Sequence, residues 1–223
     1  MNYHAIRYQD TLNGPGFRTV IFVSGCEHHC KGCHNPETWD PDSGKPFTDK
    51  EMNEIIESLK NPDIDGITFS GGDPLYVFNL YTILDICRNI RLTPETSNKS
   101  IWVYTGYVFE ERIKSYCNRV KNHDFDTYSD ISNPFLDKAF CKGLFNVDMD
   151  AIKTWCTFNE ILKLIDVLVD GPFIESLKDS NYTFAGSTNQ RLIDMKATLT
   201  DVKRDELGNI INTGAIKLWH SKF

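Results

Sequence analysis

The chain has 223 residues, of which 40% are hydrophobic and 25% are charged, and its 24 basic and 31 acidic residues leave a formal net charge of −7. These values are typical of a soluble protein with one globular domain, and the acidic balance argues against a nucleic-acid-binding face and against electrostatic docking on anionic lipid. No apolar run approaches the roughly 18–20 residues that a membrane helix needs, and residues 1–5 lack the basic and apolar regions of a signal peptide.

The first half of the chain alternates strand and helix patterns. A β-branched and aromatic run at 19–23 predicts a strand that ends directly before a cysteine-rich loop. Thr48, with Glu51 three residues later, forms a capping-box pattern and predicts the start of a helix. A second predicted strand at 66–70 opens into a glycine turn, and apolar residues at helical spacing over 80–87 predict the next helix.

The second half repeats this design with a longer connection. The segments 100–107 and 164–172 predict two more strands, each with glycine or polar residues at its end. The segment between them is far longer than the dozen or so residues that a βαβ crossover needs, so we expect an insertion at about 111–160 on the outside of the fold. A turn at Gly208-Asn209 between two alternating segments predicts a β-hairpin in the C-terminal tail, residues 196–223.

This alternation of strands and helices indicates a parallel α/β sheet built from βαβ units. Four strands are readable in the sequence and six at most, whereas a complete eight-unit barrel needs about 250 residues. The expected fold is therefore α/β, a partial (open) β/α barrel of parallel strands. Ligands collect at the C-terminal strand ends of such folds, so the cysteine loop should meet Gly71-Gly72-Asp73, Thr105-Gly106 and Asp170-Gly171 there.

Seven cysteines are an odd number, and three of them, Cys26, Cys30 and Cys33, are spaced C-x3-C-x2-C in one loop. A disulfide framework favours an even count in a small secreted domain, so the expected location is a reducing compartment, the cytoplasm. Soft thiolates select zinc, copper(I) or iron–sulfur clusters. Three bunched thiols suit a cubane cluster with one open iron better than a closed four-ligand zinc site, which stays the alternative.

Together with its neighbours, this cysteine pattern resembles the radical S-adenosylmethionine superfamily. The three cysteines are followed by an aromatic residue, His34, and Gly71–Pro74 matches the second motif of that superfamily. Further segments occur in the order found in one of its families, the anaerobic ribonucleoside-triphosphate reductase-activating proteins, which are glycyl-radical activating enzymes. These segments are Asn13–Gly16, Phe22–Cys26, Cys33–Trp39, Trp102–Tyr107, Val167–Phe173 and Gly186–Arg191.

The resemblance covers residues 1–110 and 160–195, and it implies a catalytic domain at 1–195 that includes the insertion. It implies one 4Fe-4S cluster with three cysteine ligands, Cys26, Cys30 and Cys33, and S-adenosyl-L-methionine bound to the open iron. No catalytic residue is implied beyond the cluster and the cofactor. The residues implied in cofactor binding are Gly32, Cys33, His34, Gly71, Gly72 and Asp73.

The activity implied by the resemblance is that of a radical S-adenosylmethionine oxidoreductase. Reductive cleavage of the cofactor gives a 5′-deoxyadenosyl radical, which takes a hydrogen from a glycine of the large catalytic subunit of anaerobic ribonucleotide reductase. The implied partners are that subunit and a low-potential electron donor such as flavodoxin. A homodimer is compatible with the resemblance, and no nucleic acid or membrane is expected as a partner. The alternatives are an activator of another glycyl-radical enzyme such as pyruvate formate-lyase, a radical enzyme acting on a small molecule, and a zinc-binding adaptor.

Some of the remaining residues have an ordinary structural interpretation, and others have both a structural and a functional one. His28 and His29 are expected to be solvated loop residues, and Cys87, on an apolar helix face, is expected to be a core thiol. Asp170 and the segment Asn189-Gln190-Arg191 fit contact with the cofactor or partner and fit a structural strand end and turn equally well.

Overall fold

A computed structural model describes residues 1–121, 149–204 and 208–220. The strands are β1 (Asn2–Asp10), β2 (Phe17–Val23), β3 (Lys45–Pro46), β4 (Ile64–Gly71), β5 (Ser100–Tyr104), β6 (Val167–Asp170), β7 (Arg191–Asp194), β8 (Lys203–Arg204) and β9 (Ile210–Asn212). The helices are α1 (Asp49–Lys60), α2 (Leu80–Leu92), α3 (Phe109–Lys121), α4 (Met149–Leu164) and α5 (Met195–Thr198).

Within the described residues, seven strands form one sheet in the order β3-β1-β2-β4-β5-β6-β7. The four central strands, β2, β4, β5 and β6, run parallel, while β1, β3 and β7 pair antiparallel at the two sides. The fold is therefore mixed α/β with a mostly parallel central sheet, as the sequence predicts. The finer prediction of an open barrel concerns the curvature of this sheet and stays a prediction.

The expected number of strands, four to six, is too low, because the pattern does not reveal the three antiparallel strands of the sheet, β1, β3 and β7. Strand β1 has register shifts between Tyr3 and Ala5 and between Arg7 and Asp10. Such bulges break the strict alternation of apolar and polar residues that identifies a strand in a sequence. Strand β7 is four residues long, like β6, but only Ile193 of its side chains is buried, so it lacks the continuous apolar run that identifies β6 in the sequence.

The two predicted helices of the first half are confirmed, and both cover one face of the sheet. At the start of α1, the backbone N–H of Thr48 donates to the Glu51 carboxylate at 2.9 Å, and the Thr48 side chain accepts from the backbone of Lys50. This capping box satisfies amide groups that a helix N-terminus leaves without partners. In α2, Cys87 is fully buried in the core with the apolar side chains around it, as expected.

Helices α3 and α4 pack on the same face. The rings of Tyr116 in α3 and of Trp155 and Phe158 in α4 are buried, and the ring centroid of Tyr116 lies 5.1 Å from that of Trp155 and 5.2 Å from that of Phe158. The predicted insertion at about 111–160 therefore overlaps two helices that contribute Ile113, Tyr116, Trp155 and Phe158 to the core. Residues 122–148, to which the rest of that prediction applies, lie outside the described residues.

The C-terminal tail folds back onto the sheet. Strands β8 and β9 pair antiparallel, which confirms the predicted hairpin. The backbone N–H of Trp219 donates to the carbonyl of Leu192 at 2.7 Å, and its ring meets Trp102 edge-on at 5.0 Å on the face opposite the helices. Among the described residues, no helix combines the length and the apolar character that spanning a membrane requires.

Candidate functional site

The loops that follow the four parallel strands meet at one edge of the sheet, as predicted. The backbone N–H of Gly72, after β4, donates to the carbonyl of Val23 at 2.8 Å, and that of Asp73 donates to the carbonyl of Gly25 at 2.8 Å. A further backbone hydrogen bond of 2.9 Å joins the loop after β6 to the loop after β5. These bonds bring the cysteine loop, the glycine turn and the two later loops into one assembly.

The cysteine loop carries three free thiols that are partly accessible to solvent, those of Cys26, Cys30 and Cys33. Its second half turns tightly, because the backbone N–H of Cys33 donates to the carbonyl of Cys30 at 3.1 Å, and Gly32 adopts a φ of +74°. Burial raises the pKa of the Cys26 thiol to about 11 and also raises the pKa of the Cys30 thiol. A bound metal removes such a proton, since a coordinating thiol is deprotonated outright.

The three thiols suit a cluster better than a single ion. Among the described residues, no three His, Cys, Asp or Glu side chains converge closely enough to hold one metal ion. A cubane cluster does not need this convergence, because each thiolate binds a different iron. The donor set of this loop therefore fits a 4Fe-4S cluster.

The two glycines of the turn after β4 are required by the neighbouring backbone. A Cβ on Gly71, which has a φ of +95°, would lie 2.7 Å from the Cα of Phe22, and a Cβ on Gly72 would lie 2.6 Å from the carbonyl oxygen of Gly25. Glycine at position 72 thus allows the turn to lie directly on the start of the cysteine loop. The protein itself therefore requires the close approach of the turn to this loop, apart from any approach to a cofactor.

Asp73 lies at the centre of the assembly and is fully buried. Its carboxylate accepts hydrogen bonds from the backbone of Leu75 (2.8 Å) and Gly106 (3.0 Å) and from the hydroxyl of Thr105 (2.9 and 3.0 Å to the two oxygens). The Nε2 of His28 lies 2.9 Å from the same carboxylate. These groups use most of the roughly four acceptor positions of a carboxylate, so Asp73 links the cysteine loop, the glycine turn and the loop after β5.

His28 is a site residue that sequence reasoning missed. Its side chain is only 16% exposed, and its ring meets that of Tyr107 edge-on at 4.5 Å, so the expectation of a solvated loop residue is wrong for His28. It holds for His29, which is exposed and rests against Trp39 at 4.8 Å. The partner of His28 is 45 residues away, and no local pattern in the sequence indicates such a pair.

The segment after β6 covers the second half of the cysteine loop. The Phe173 ring lies 5.3 Å from the exposed ring of His34, and the backbone of Phe173 hydrogen bonds to the Cys30 thiol, which opposes the burial-driven rise of its pKa. Lys31 and Glu175 form an exposed ion pair at 3.1 Å. His34 therefore lies in an aromatic contact beside the third cysteine.

The polar residues at the end of β6 and the start of β7 bind one another. The Arg191 guanidinium donates to both Asp170 and Glu110, with 2.6 and 2.9 Å bonds to the two oxygens of Glu110. The side-chain amides of Asn189 and Gln190 donate to backbone carbonyls of the loop after β6 at 2.8 and 3.0 Å. These contacts are those of a structural strand end and turn, one of the two interpretations that the sequence left open.

Comparison with known proteins gives consistent matches. The family model described as a 4Fe-4S single cluster domain matches residues 12–132 and 142–193. An anaerobic ribonucleoside-triphosphate reductase-activating protein of Escherichia coli (strain K12) is 36% identical over 192 residues, which are 85% of this chain and 96% of that protein. A protein of the same name from Vibrio cholerae (serotype O1) is 34% identical over 192 residues, which are 85% of this chain and 96% of that protein. Another from Enterobacteria phage T4 is 33% identical over 193 residues, which are 86% of this chain and 93% of that protein.

Proposed function

Because the chain belongs to the family of anaerobic ribonucleoside-triphosphate reductase-activating proteins, we propose that it activates the large catalytic subunit of an anaerobic ribonucleotide reductase. The observation that carries this proposal is the match of 85% of the chain to 96% of a relative with that name. The family model adds a 4Fe-4S domain that includes the cysteine loop. The chain is accordingly an activating enzyme with a 4Fe-4S domain.

The proposed ligands of the single cluster are the thiolates of Cys26, Cys30 and Cys33. Their support is the presence of three free, partly accessible thiols in one tight loop at the ligand-binding edge of the sheet. With three thiolates, one iron is left for S-adenosyl-L-methionine. These residues would hold a cluster whose chemistry would be to donate the electron for cleavage of the sulfonium of S-adenosyl-L-methionine, which would lead to removal of a hydrogen atom from a glycine of the partner.

The proposed cofactor site lies between the cysteine loop and the glycine turn. Gly71 and Gly72 contribute a backbone without side chains beside the loop, where the methionine end of S-adenosyl-L-methionine binds. His34, next to Cys33 and in contact with Phe173, offers an aromatic surface for the adenine. Gly32 gives the loop its turn, and Asp73 holds the surrounding loops in place through its buried carboxylate.

The domain bounds, the electron donor and the location of the enzyme are proposed as follows. We assign the radical domain to residues 1–195 as an open barrel with an insertion at about 111–160, and the tail to 196–223. The proposed electron donor is a low-potential one-electron carrier such as flavodoxin, because sulfonium cleavage would need the low end of the range of cluster potentials. The expected location is the cytoplasm, where thiols stay reduced.

Anaerobic reconstitution with iron and sulfide tests this function. The protein should turn brown, form 5′-deoxyadenosine from S-adenosyl-L-methionine with a strong reductant, and give a glycyl-radical electron paramagnetic resonance signal on the reductase subunit. Pyruvate formate-lyase serves as the alternative partner in the same assay. A colourless protein that binds zinc, or a radical on pyruvate formate-lyase and none on the reductase, would overturn the proposal.

A further inference from the structure

In the loop between the proposed ligands Cys26 and Cys30, the side chain of His28 is mostly buried. Its Nε2 lies 2.9 Å from Asp73, and a Cβ on Gly106 would lie only 2.3 Å from the imidazole ring. The imidazole ring of His28 therefore packs directly against the backbone of the loop after β5. Since an ionised carboxylate only accepts hydrogen bonds, Nε2–H of His28 is the donor to Asp73.

A second contact holds the same loop at the preceding residue. The hydroxyl of Tyr107 donates to the carboxylate of Glu27 at 2.6 Å, while its ring packs edge-on against His28 at 4.5 Å. The guanidinium of Arg112, from α3, lies 3.7 Å from the centroid of the Tyr107 ring. The stack of His28, Tyr107 and Arg112 thus connects the cysteine loop to the first helix of the second half.

We propose that His28 is a positioning residue for the cluster, which holds the backbone between Cys26 and Cys30 in the shape that places both thiols for iron. This inference rests on the proposed function, because it takes the cysteines as ligands. A loop that is fixed before the metal arrives loses less conformational freedom on binding, and this raises affinity. Groups behind metal ligands commonly change metal affinity by roughly 10- to 100-fold when they are removed.

The test compares variants at position 28 that keep or lose the donor. In His28→Gln the terminal amide reaches about as far as Nε2 and can still donate to Asp73, whereas His28→Leu removes the donor and keeps the bulk. The measurement is the rate at which the reconstituted protein releases iron to a chelator under anaerobic conditions. We expect His28→Leu to release iron roughly 10- to 100-fold faster than the unaltered protein, and His28→Gln to restore most of the difference.

A matched control is available at the neighbouring position. His29→Asn changes an exposed histidine of the same loop that has a positive φ of 46°, a conformation that asparagine tolerates. Its iron release should match that of the unaltered protein. If His28→Leu does not fold, His28→Asn takes its place, because the shorter amide ends too far from Asp73.

Two results would overturn the role of His28. One is normal iron release from the donor-free variant, and the other is equally fast release from His28→Gln, which would show that the hydrogen bond is irrelevant. Failure of the ligand assignment gives a different pattern, in which alanine at Cys26, Cys30 or Cys33 leaves the iron content unchanged. The electron paramagnetic resonance spectrum of the reduced cluster is recorded for each variant, since distorted geometry alters it where a loss of general stability does not.

Discussion

Alanine in place of any one of Cys26, Cys30 or Cys33 is expected to abolish both stable cluster binding and cofactor cleavage. The reason is that two thiolates leave a second iron without a protein ligand, which makes a cubane labile. The measurements are iron and sulfide content after anaerobic reconstitution and the yield of 5′-deoxyadenosine.

The control for this experiment is Cys87→Ala. Cys87 is fully buried in the core, and burial raises the pKa of its thiol to about 12. Its loss leaves a small cavity that costs about 1 kcal/mol of unfolding free energy, but the iron content should stay at one cluster per chain. Full cluster content in a variant lacking two of the loop cysteines would refute the ligand assignment.

Gly72→Ala is expected to lower iron content and cofactor binding together. The new Cβ would lie 2.6 Å from the carbonyl oxygen of Gly25, one residue before Cys26, so the turn and the cysteine loop must move apart. A role of Gly72 in cofactor contact alone would leave iron content unchanged, which distinguishes the two explanations. Iron analysis and equilibrium binding of S-adenosyl-L-methionine provide the two measurements.

Gly208→Ala adds the same methyl group where nothing lies within 4 Å. The positive φ of 77° at Gly208 makes this variant less stable, yet it should hold its iron normally. Equal iron content in the variants at positions 72 and 208 would contradict the steric explanation.

At the level of secondary-structure elements, the start of α3 is tied to β6 and β7 by charge. The hydrogen bonds that Arg191 donates hold the pKa of the Glu110 carboxyl below its usual range. A carboxyl whose pKa is lower in the folded state stabilises the protein above its unfolded-state pKa, and the contribution is lost as the pH falls through the folded-state pKa. Glu110→Gln should therefore cost about 1 kcal/mol of unfolding free energy at neutral pH, a value that allows for partial solvent screening.

The pH dependence provides the check on this ion pair. The difference in unfolding free energy between Glu110→Gln and the unaltered protein should be constant above about pH 5, and it should shrink below about pH 4. Chemical denaturation at several pH values measures it. A difference that does not change with pH would mean that the variant acts through packing and that the ion pair contributes little.

The elements that follow local rules could be predicted from the sequence, and those that depend on distant partners could not. The start of helix α1 is indicated by Thr48 and Glu51, which interact within one turn. Strand β1 depends on its pairing with β2 and β3, and its bulges hide its alternation. The contact between His28 and Asp73 likewise depends on the order of the strands, whereas the cysteine spacing is a local pattern that indicates its chemistry directly.

In the molecule as a whole, the C-terminal tail packs on the face of the sheet that the helices do not cover. Trp219 packs edge-on against Trp102 at 5.0 Å and lies 6.4 Å from the ring of Phe184. Trp219→Ala should lower the unfolding free energy by about 2 kcal/mol, because a large, partly buried aromatic surface is lost. Iron content should be unaltered, since these contacts are on the sheet and not in the cysteine loop.

Trp219→Phe is the matched variant, because it keeps an aromatic ring in the same place and should recover most of the loss. Denaturant unfolding monitored by far-ultraviolet circular dichroism gives the free energies. If Trp219→Ala is as stable as the unaltered protein, the packing of Trp219 contributes nothing to the free energy of unfolding.

The hydrogen bonds around Asp73 also bear on the order of events during synthesis. In the part of the chain that the structure describes, every group that donates to its carboxylate lies between Cys26 and Gly106, as do the three loop cysteines. Translation delivers the N-terminal part of a chain first, although a domain generally folds as a unit. The hydrogen-bonded framework around Asp73 therefore lies in the part of the chain that is translated before β6, β7 and the tail, and the later half adds the contact of Phe173 with Cys30.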